Sequence, residues 1–506
     1  MRCLLGFAAF GIWFLVLLAG CSDADSPGSS PTSPLQTPPA SATPPVSATP
    51  PALAPPPCTA DPPPSPGLPP PYPLENSNLE KFDNYPRDAD GVIYDPQYDE
   101  HNPALVAKYA LALYAEHFET HEEERLADFS RQAEWLRENF VRAGAFGVWQ
   151  YPFDYEPFEA SAPWVSALMQ GWGLTVMLEA AALNPEQADA YESIAELALQ
   201  AFEVPVADGG VRSTWDDGTV WYEEYATAIP SHVLNGFMFA LAGLYQDWQQ
   251  TGDERAEALF EQGTASLKAK VKEYDKGFTS AYEVYLNSNA TGKGGYHSLH
   301  VQQLLWVYCV TADEFFWDLA VEWVNYDGWT NPAGSFVKDV EASYEPAAPE
   351  FAAEGLIDNT NYYGYWSSDR FPVVITLDLG QVERDVSRIV FFAVTEASAP
   401  DTFTVELSSD REGWDEALTV TEGSPAARIR GENATGVHRT AIYGYDLEDP
   451  GDARYVRITI GSDQGAANVA LREIMLHFDQ AAHTREIYEE LLPRFDRPPG
   501  GRVASQ

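Results

Sequence analysis

The spacing of apolar residues changes once along this chain, near residue 336, and the change requires two folded regions of different kinds. Upstream, from about residue 100 to 327, the period is helical. Asn102-Pro103 reads as a cap and first-turn proline ahead of Leu105, Tyr109, Leu113 and Phe118, and Leu126, Phe129, Ala133, Leu136 and Phe140 continue the pattern up to Gly144. Further helices are expected at Trp164–Leu183, Glu186–Phe202, His232–Trp248, Glu254–Val271, His297–Val310 and Glu314–Val324. Short turns between paired helices predict an all-α region of the alpha/alpha toroid or barrel type, with a cleft at one end of its inner ring. Downstream the period is two: Val373, Ile375, Leu377 and Leu379 alternate, as do Phe403, Val405 and Leu407, and then Val456, Ile458 and Ile460. That spacing predicts an all-β sandwich, so the chain is multidomain.

The chain has 506 residues, among them 14 Trp, 26 Tyr and 25 Phe, enough apolar surface to build two cores and line a cleft. Its formal net charge of -46 would repel nucleic-acid phosphates over most of the surface, which argues against nucleic acid as a partner. Such acidity also suits a surface adapted to high salt, where repulsion is screened. Four cysteines are too few for a disulfide scaffold. Cys309, within Trp306-Val307-Tyr308-Cys309-Val310, reads as a small core hydrophobe, and Cys58 as an incidental exposed thiol.

At the N-terminus, Arg2 precedes an apolar run that closes on Leu18-Ala19-Gly20-Cys21. This resembles a bacterial lipobox, which implies a signal peptide over 1–20 and lipidation of Cys21; an uncleaved anchor is the alternative. Ser22 rather than Asp follows the cysteine, which by the usual sorting pattern favours the outer membrane, on its periplasmic or cell-surface side. Residues 21–73 are Pro, Ser, Thr and Ala with almost no large aliphatics, so they predict a semi-rigid stalk. The helical region then spans 74–330, the sandwich 336–480, and a tail 481–506.

The segment richest in chemistry is Trp221-Tyr222-Glu223-Glu224-Tyr225, followed by Pro230-Ser231-His232-Val233-Leu234-Asn235-Gly236. Alone it would mean little, since adjacent carboxylates usually lie on a solvated face and aromatic strings usually pack. Together with Tyr151-Pro152-Phe153, Pro163-Trp164-Val165-Ser166 through Gln170-Gly171, Gly210-Val211-Arg212 and Gly295-Tyr296-His297-Ser298-Leu299-His300, it resembles the C-terminal domain of D-glucuronyl C5-epimerases over roughly residues 100 to 327. The resemblance implies inversion at C5 of a uronic acid within a polysaccharide: a base removes the C5 proton and an acid returns one to the opposite face. The proton lies beside a carboxylate, so its loss creates an enolate-like dianion that needs preorganised donors or a cation.

Carried over on the matching positions, Glu224, Tyr225 and Tyr296 are the implied catalytic residues, with Glu224 and Tyr296 as opposed base and acid. Tyr222, Arg212, His297, Trp164, Gln170, Asn235 and Tyr285 are the candidates for contact with the sugar, although packing or a surface ion pair accounts for several of them equally well. The chemistry requires no cofactor. His297 and His300 could be read as metal ligands but lack a third partner at zinc spacing, and no metal ligands are assigned. Family members often pair, which leaves a homodimer open. One departure matters: in Ser280-Ala281-Tyr282-Glu283-Val284-Tyr285, Tyr285 stands where the family carries an arginine suited to the substrate carboxylate, so neutralisation would fall to Arg212, Lys293 or a bound cation. A polysaccharide lyase, which shares the first proton loss, and a surface glycan-binding lipoprotein without catalysis are the rival readings.

In the downstream region, Gly355-Leu356-Ile357-Asp358-Asn359, Tyr365-Trp366-Ser367-Ser368, Ile375 to Gly380, Phe403 to Ser408 and Ala453 to Ile458 resemble a discoidin, or coagulation factor 5/8 type C, domain. That implies glycan or surface binding through loops at one end and room for a structural calcium ion, the alternative being a sandwich that only packs on the enzyme.

Overall fold

The computed structural model describes residues 55–56, 72–74, 78–284, 296–326, 336–344, 352–357, 365–422, 429–435 and 438–495. Cys21, Cys58, Tyr285, Lys293 and the signal peptide therefore lie outside the described residues.

Eight helices form four antiparallel hairpins: α1 (Pro103–Thr120) with α2 (Glu123–Glu138), α3 (Ala167–Leu183) with α4 (Ala188–Gln200), α5 (Leu234–Thr251) with α6 (Glu254–Lys270), and α7 (Tyr296–Thr311) with α8 (Glu314–Val324). The odd-numbered helices pack on one another in chain order as an inner row, and the even-numbered ones cover it, which is the layering expected of paired α/α repeats. Local chemistry sets several ends. The Asn102 side chain accepts from the amides of Ala104 and Leu105 ahead of Pro103, as the sequence predicts. Ser166 caps α3 by accepting from the amide of Met169. At the crossing of α3 and α5, a Cβ on Gly243 would run into the backbone of Gly171, so only glycine permits this approach.

Small hairpins carry the loops at one end of the helices: β1 (Val141–Ala143) with β2 (Phe146–Val148), and β3 (Arg212–Thr214) with β4 (Val220–Tyr222). The sandwich follows, with β5 (Asp339–Ala342), β6 (Trp366–Ser368), β7 (Val373–Ala393), β8 (Pro400–Ser408), β9 (Asp415–Val420), β10 (Ile429–Thr435), β11 (His438–Asp463) and β12 (Val469–His477), all paired antiparallel. The long strands β7 and β11 pair twice, Ile442 with Phe392 at one end and Ile458 with Ile375 at the other, with register shifts between. Those bulges let both strands pass from one layer to the other. The alternating Val373, Ile375, Leu377 and Val456, Ile458, Ile460 fill the space enclosed.

Two expectations change. The segment 481–506 is not only a tail: Ala481–Phe495 forms a helix, α9, that returns to α7 and α8, where the Tyr488 ring lies 5.8 Å from Tyr308 and 5.9 Å from Trp317. The amphipathic face of Tyr488, Leu491 and Phe495 supplies the reason. Two described residues of the expected stalk are packed on the helical region: Tyr308 donates to the carbonyl of Pro56 at 2.7 Å, and the buried Tyr72 donates to that of Phe239. Cys309 is buried in the core as a small apolar residue would be, and it is disulfide-bonded besides. The sandwich is likewise part of the whole: Val390, Phe392, Ile442 and Met475 belong to the same buried apolar cluster as the helices.

Candidate active site

The β3–β4 hairpin delivers the acidic pair, and the two carboxylates take different environments. Trp221 stacks on Phe237 with ring centroids 3.7 Å apart, which anchors the end of the hairpin against α5. Glu223 turns inward and is fully buried. It accepts from the Ser213 hydroxyl, from the amides of Ser231 (3.2 Å) and His232 (3.0 Å), and lies 2.6 Å from His232 Nδ1. These bonds hold Ser231 and His232 out of the helix, so α5 begins at Leu234 rather than at His232 as the sequence predicts.

Glu224 points the other way. Tyr282 donates to its Oε1 at 3.2 Å, and the hydroxyls of Tyr282 and Tyr225 are 3.3 Å apart. Its Oε2 is shielded from solvent with no protein partner, lying where a Cβ on Gly236 would sit in the first turn of α5. The Tyr282 carbonyl accepts from the amide of Leu234 at 3.0 Å, so the loop bearing this phenol is docked on the same turn. Tyr296, the first residue of α7, brings its ring to 4.7 Å from that of Tyr282. A strap over residues 151–164, closed by the bridges Tyr151↔Trp164 and Tyr155↔Ala160, supplies the aromatic wall. Phe158 stacks on Tyr225 at 4.0 Å, Tyr155 at 5.4 Å, and Tyr151 stacks on Trp164 at 3.8 Å.

This setting fixes the protons. Burial pushes the Glu224 carboxyl up to about 7 against the hydrogen bonds of Tyr225 and Tyr282, with the Glu223 charge adding to the rise. Burial, and after it the Glu224 charge, holds the phenols of Tyr225, Tyr282 and Tyr296 above the ordinary tyrosine range. Near neutrality the site thus contains a carboxyl poised between its two forms, surrounded by neutral phenols. No cation is among the groups that act on Glu224, and among the described residues no cluster of three His, Cys, Asp or Glu could hold a metal ion.

The structure brings Glu224, Tyr225 and Tyr296 near one another around Tyr282, and Trp164 stands behind Tyr225 at 5.6 Å with its indole N–H given to the Phe153 carbonyl. Other candidates are placed elsewhere. Tyr222 is wholly buried and donates to the Leu259 carbonyl on α6; Arg212 lies opposite it in the hairpin register and acts on that phenol rather than on Glu224. His297 is buried with both ring nitrogens engaged, Nδ1 by the amide of Ser280 at 3.0 Å and Nε2 by the Trp323 carbonyl at 2.9 Å, so it holds a loop rather than a sugar. His300 Nδ1 lies 2.7 Å from the Ser280 hydroxyl that also faces His297. Gln170 and Asn235 are buried, and the Gln170 amide and Asn235 Oδ1 have no protein partner. Tyr285 is outside the described residues. Sequence reasoning passed over Tyr282, noticed only as a landmark for the absent arginine, and the strap residues Tyr155 and Phe158, whose signal was the aromatic run Tyr151, Phe153, Tyr155, Phe158.

Residues 143–325 match the family described as D-glucuronyl C5-epimerase C-terminus, and residues 339–474 match the F5/8 type C domain. Both resemblances drawn from the motifs are thus found independently. Among curated proteins, a D-glucuronyl C5-epimerase of Caenorhabditis elegans is 31% identical over 219 residues, 39% of this chain and 34% of the relative. An uncharacterized protein of Methanocaldococcus jannaschii is 34% identical over 182 residues, 35% of this chain and 57% of the relative. The chain therefore spans about a third of the first relative and just over half of the second. Among solved structures, the family 32 carbohydrate-binding module of Streptococcus pneumoniae EndoD is 15% identical with a TM-score of 0.23, covering 29% of this chain and 99% of that one. The CBM32 of AlyQ, solved in complex with 4,5-unsaturated mannuronic acid, is 22% identical with a TM-score of 0.22, covering 28% and 95%.

Proposed function

We propose that this protein inverts C5 of uronic acid residues in a polysaccharide, with Glu224 as the base and Tyr296 as the acid that returns a proton to the opposite ring face. The carrying observation is the half-buried Glu224 carboxyl, bonded by Tyr282 on one oxygen and without a protein partner on the other, beside phenols that stay protonated. A base whose proton affinity matches the working pH gives the best compromise between being ionised and being strong. As the C5–H bond breaks, the proton passes to the Glu224 carboxylate and the electron pair spreads into the substrate carboxylate as an enolate. Tyr225 and Tyr282 supply neutral donors for that charge, the role that a cation would otherwise take.

The experiment is incubation of the chain with uronate polymers in heavy water. Deuterium entering C5 without chain shortening supports the epimerase; an absorbing unsaturated uronate indicates a lyase, and binding without exchange, unaffected by Glu224→Gln, indicates a glycan-binding lipoprotein. Two further proposals accompany this reading. Lipidation of Cys21 would tether the protein to the outer membrane, tested by label from radioactive palmitate that Cys21→Ser abolishes; no helix among the described residues is long and apolar enough to cross a membrane. A calcium ion would stabilise the sandwich, tested by a fall in melting temperature on adding chelator.

A further inference from the structure

The loop that carries Tyr282 is held from every side, and one of those sides is the sandwich. Asp275 opens it: Oδ1 accepts from the amide of Gly277 (2.7 Å) and the hydroxyl of Tyr326 (2.9 Å), and Oδ2 from the indole of Trp323 (3.3 Å). The backbone then folds back, with Asp275 bridged to Ser280 and the amide of Ala281 bonded to the Tyr274 carbonyl at 2.8 Å. Ser280 is tied to His297 and His300, and two residues later Tyr282 reaches Glu224.

Trp323 and Tyr326, at the C-terminal end of α8, present Asp275 with two donors, and their far side rests on the sandwich. The Tyr326 ring lies 5.2 Å from that of His477 on β12, and Asn325 Oδ1 accepts from the amide of Phe478 at 3.1 Å. Arg388 on β7 fixes this edge, donating to Asp446 at 2.7 Å and standing 3.3 Å from His477 Nδ1. At the apex of the loop, the buried Phe278 meets Phe392 of β7 edge-on, centroids 5.9 Å apart at 88°. A loop held only by its own turn would let the phenol wander, whereas proton transfer needs placement to a fraction of an ångström.

We propose that the β-sandwich is a positioning element for the Tyr282 loop, acting through Asp275 with Tyr326 and Trp323 as positioning residues, in addition to any glycan it binds. The inference rests on the proposed role of Tyr282 beside Glu224. The groups facing Glu224 are Glu223, Tyr151, Tyr155, Tyr225, Tyr282 and Tyr296, and the Tyr282 loop touches two of the others directly, Tyr225 through its hydroxyl and Tyr296 through its ring.

The test uses the full chain with Tyr326→Phe, which keeps the ring and removes the bond to Asp275, and Phe392→Leu, which loosens the loop from the sandwich side. The expected result for Tyr326→Phe is a kcat for C5 exchange lower by roughly tenfold with KM within about a factor of two. The Glu224 carboxyl, followed by carbon-13 NMR and identified by its loss in Glu224→Gln, should titrate higher than in the wild type and in the same direction as in Tyr282→Phe. Phe392→Leu should move both readouts the same way by less. Wild-type kcat and titration in both variants would overturn the proposal, as would losses that track only the folded fraction. If no uronate polymer exchanges in the wild type but the Glu224 titration still moves in both variants, the positioning stands and the epimerase reading falls.

Discussion

Tyr282→Phe isolates the contact on which the chemistry turns. The substitution leaves the ring in place and removes two interactions, the 3.2 Å bond to Glu224 Oε1 and the 3.3 Å contact with Tyr225. The first of these holds the Glu224 carboxyl down against burial, so its loss must raise the proton affinity. A hydrogen bond to an ionised acceptor contributes about 1.5 kcal/mol at the lower end of its range, and a tenfold change in an equilibrium constant corresponds to about 1.4 kcal/mol. The acidic limb of the pH profile for C5 exchange should therefore move up by about one pH unit. With the carboxyl at about 7 in the wild type, the ionised fraction at neutral pH falls from about one half to about one tenth, so exchange there slows about fivefold from this cause alone. At a pH about two units higher, where Glu224 is ionised in both proteins, that part of the defect disappears; whatever persists measures the phenol's share in stabilising the enolate. The assay is deuterium incorporation as a function of pH, with carbon-13 NMR of the carboxyl as a second readout. A limb that stays in place or moves down would refute the arrangement.

Glu224→Gln should lower exchange by at least about a hundredfold, the ordinary contribution of a positioned base. Because the folded state holds the Glu224 proton more tightly than the ordinary carboxyl at 4.5, the group favours folding fully below that value and loses this as pH rises through about 7. The Gln variant should consequently match wild-type stability near pH 4 and exceed it by up to about 3 kcal/mol near pH 8, read from denaturant midpoints. Gly236→Ala should keep its helix content, since alanine favours a helix by about 1 kcal/mol, while the new methyl displaces the Glu224 carboxylate and lowers kcat roughly tenfold. Unchanged kcat would mean the carboxylate is not seated there. Tyr222→Phe removes one buried bond to the Leu259 carbonyl and should cost about 1 kcal/mol of stability with no change in KM; a raised KM would return Tyr222 to the sugar.

The residues show why some features were legible and others not. The cap at Asn102, the helical runs and the alternation at Val373 and Val456 are local, encoded within a few residues of where they act. The start of α5 was misplaced by two residues because His232 answers to Glu223, nine positions back in the chain. The role of His297 was misjudged because both of its nitrogens are taken by distant backbone, Ser280 and Trp323. The helix at 481–495 was passed over as a tail because its apolar face has no partner until α7 and α8 are assembled.

What the amino-acid order determined by itself was the two kinds of apolar period and the string from Trp221 to Tyr225, because periodicity and motif are properties of neighbours. What only the tertiary structure decided was which of two adjacent glutamates keeps a free oxygen. Glu223 and Glu224 have the same chemistry and differ in what long-range folding places around them: the amides of Ser231 and His232 with the Ser213 hydroxyl for one, the Tyr282 phenol and the bare turn at Gly236 for the other. Proton affinity is set by the surroundings of a carboxylate, and for Glu224 these are burial first, then the neighbouring Tyr225 and Tyr282, the latter 58 positions away along the chain.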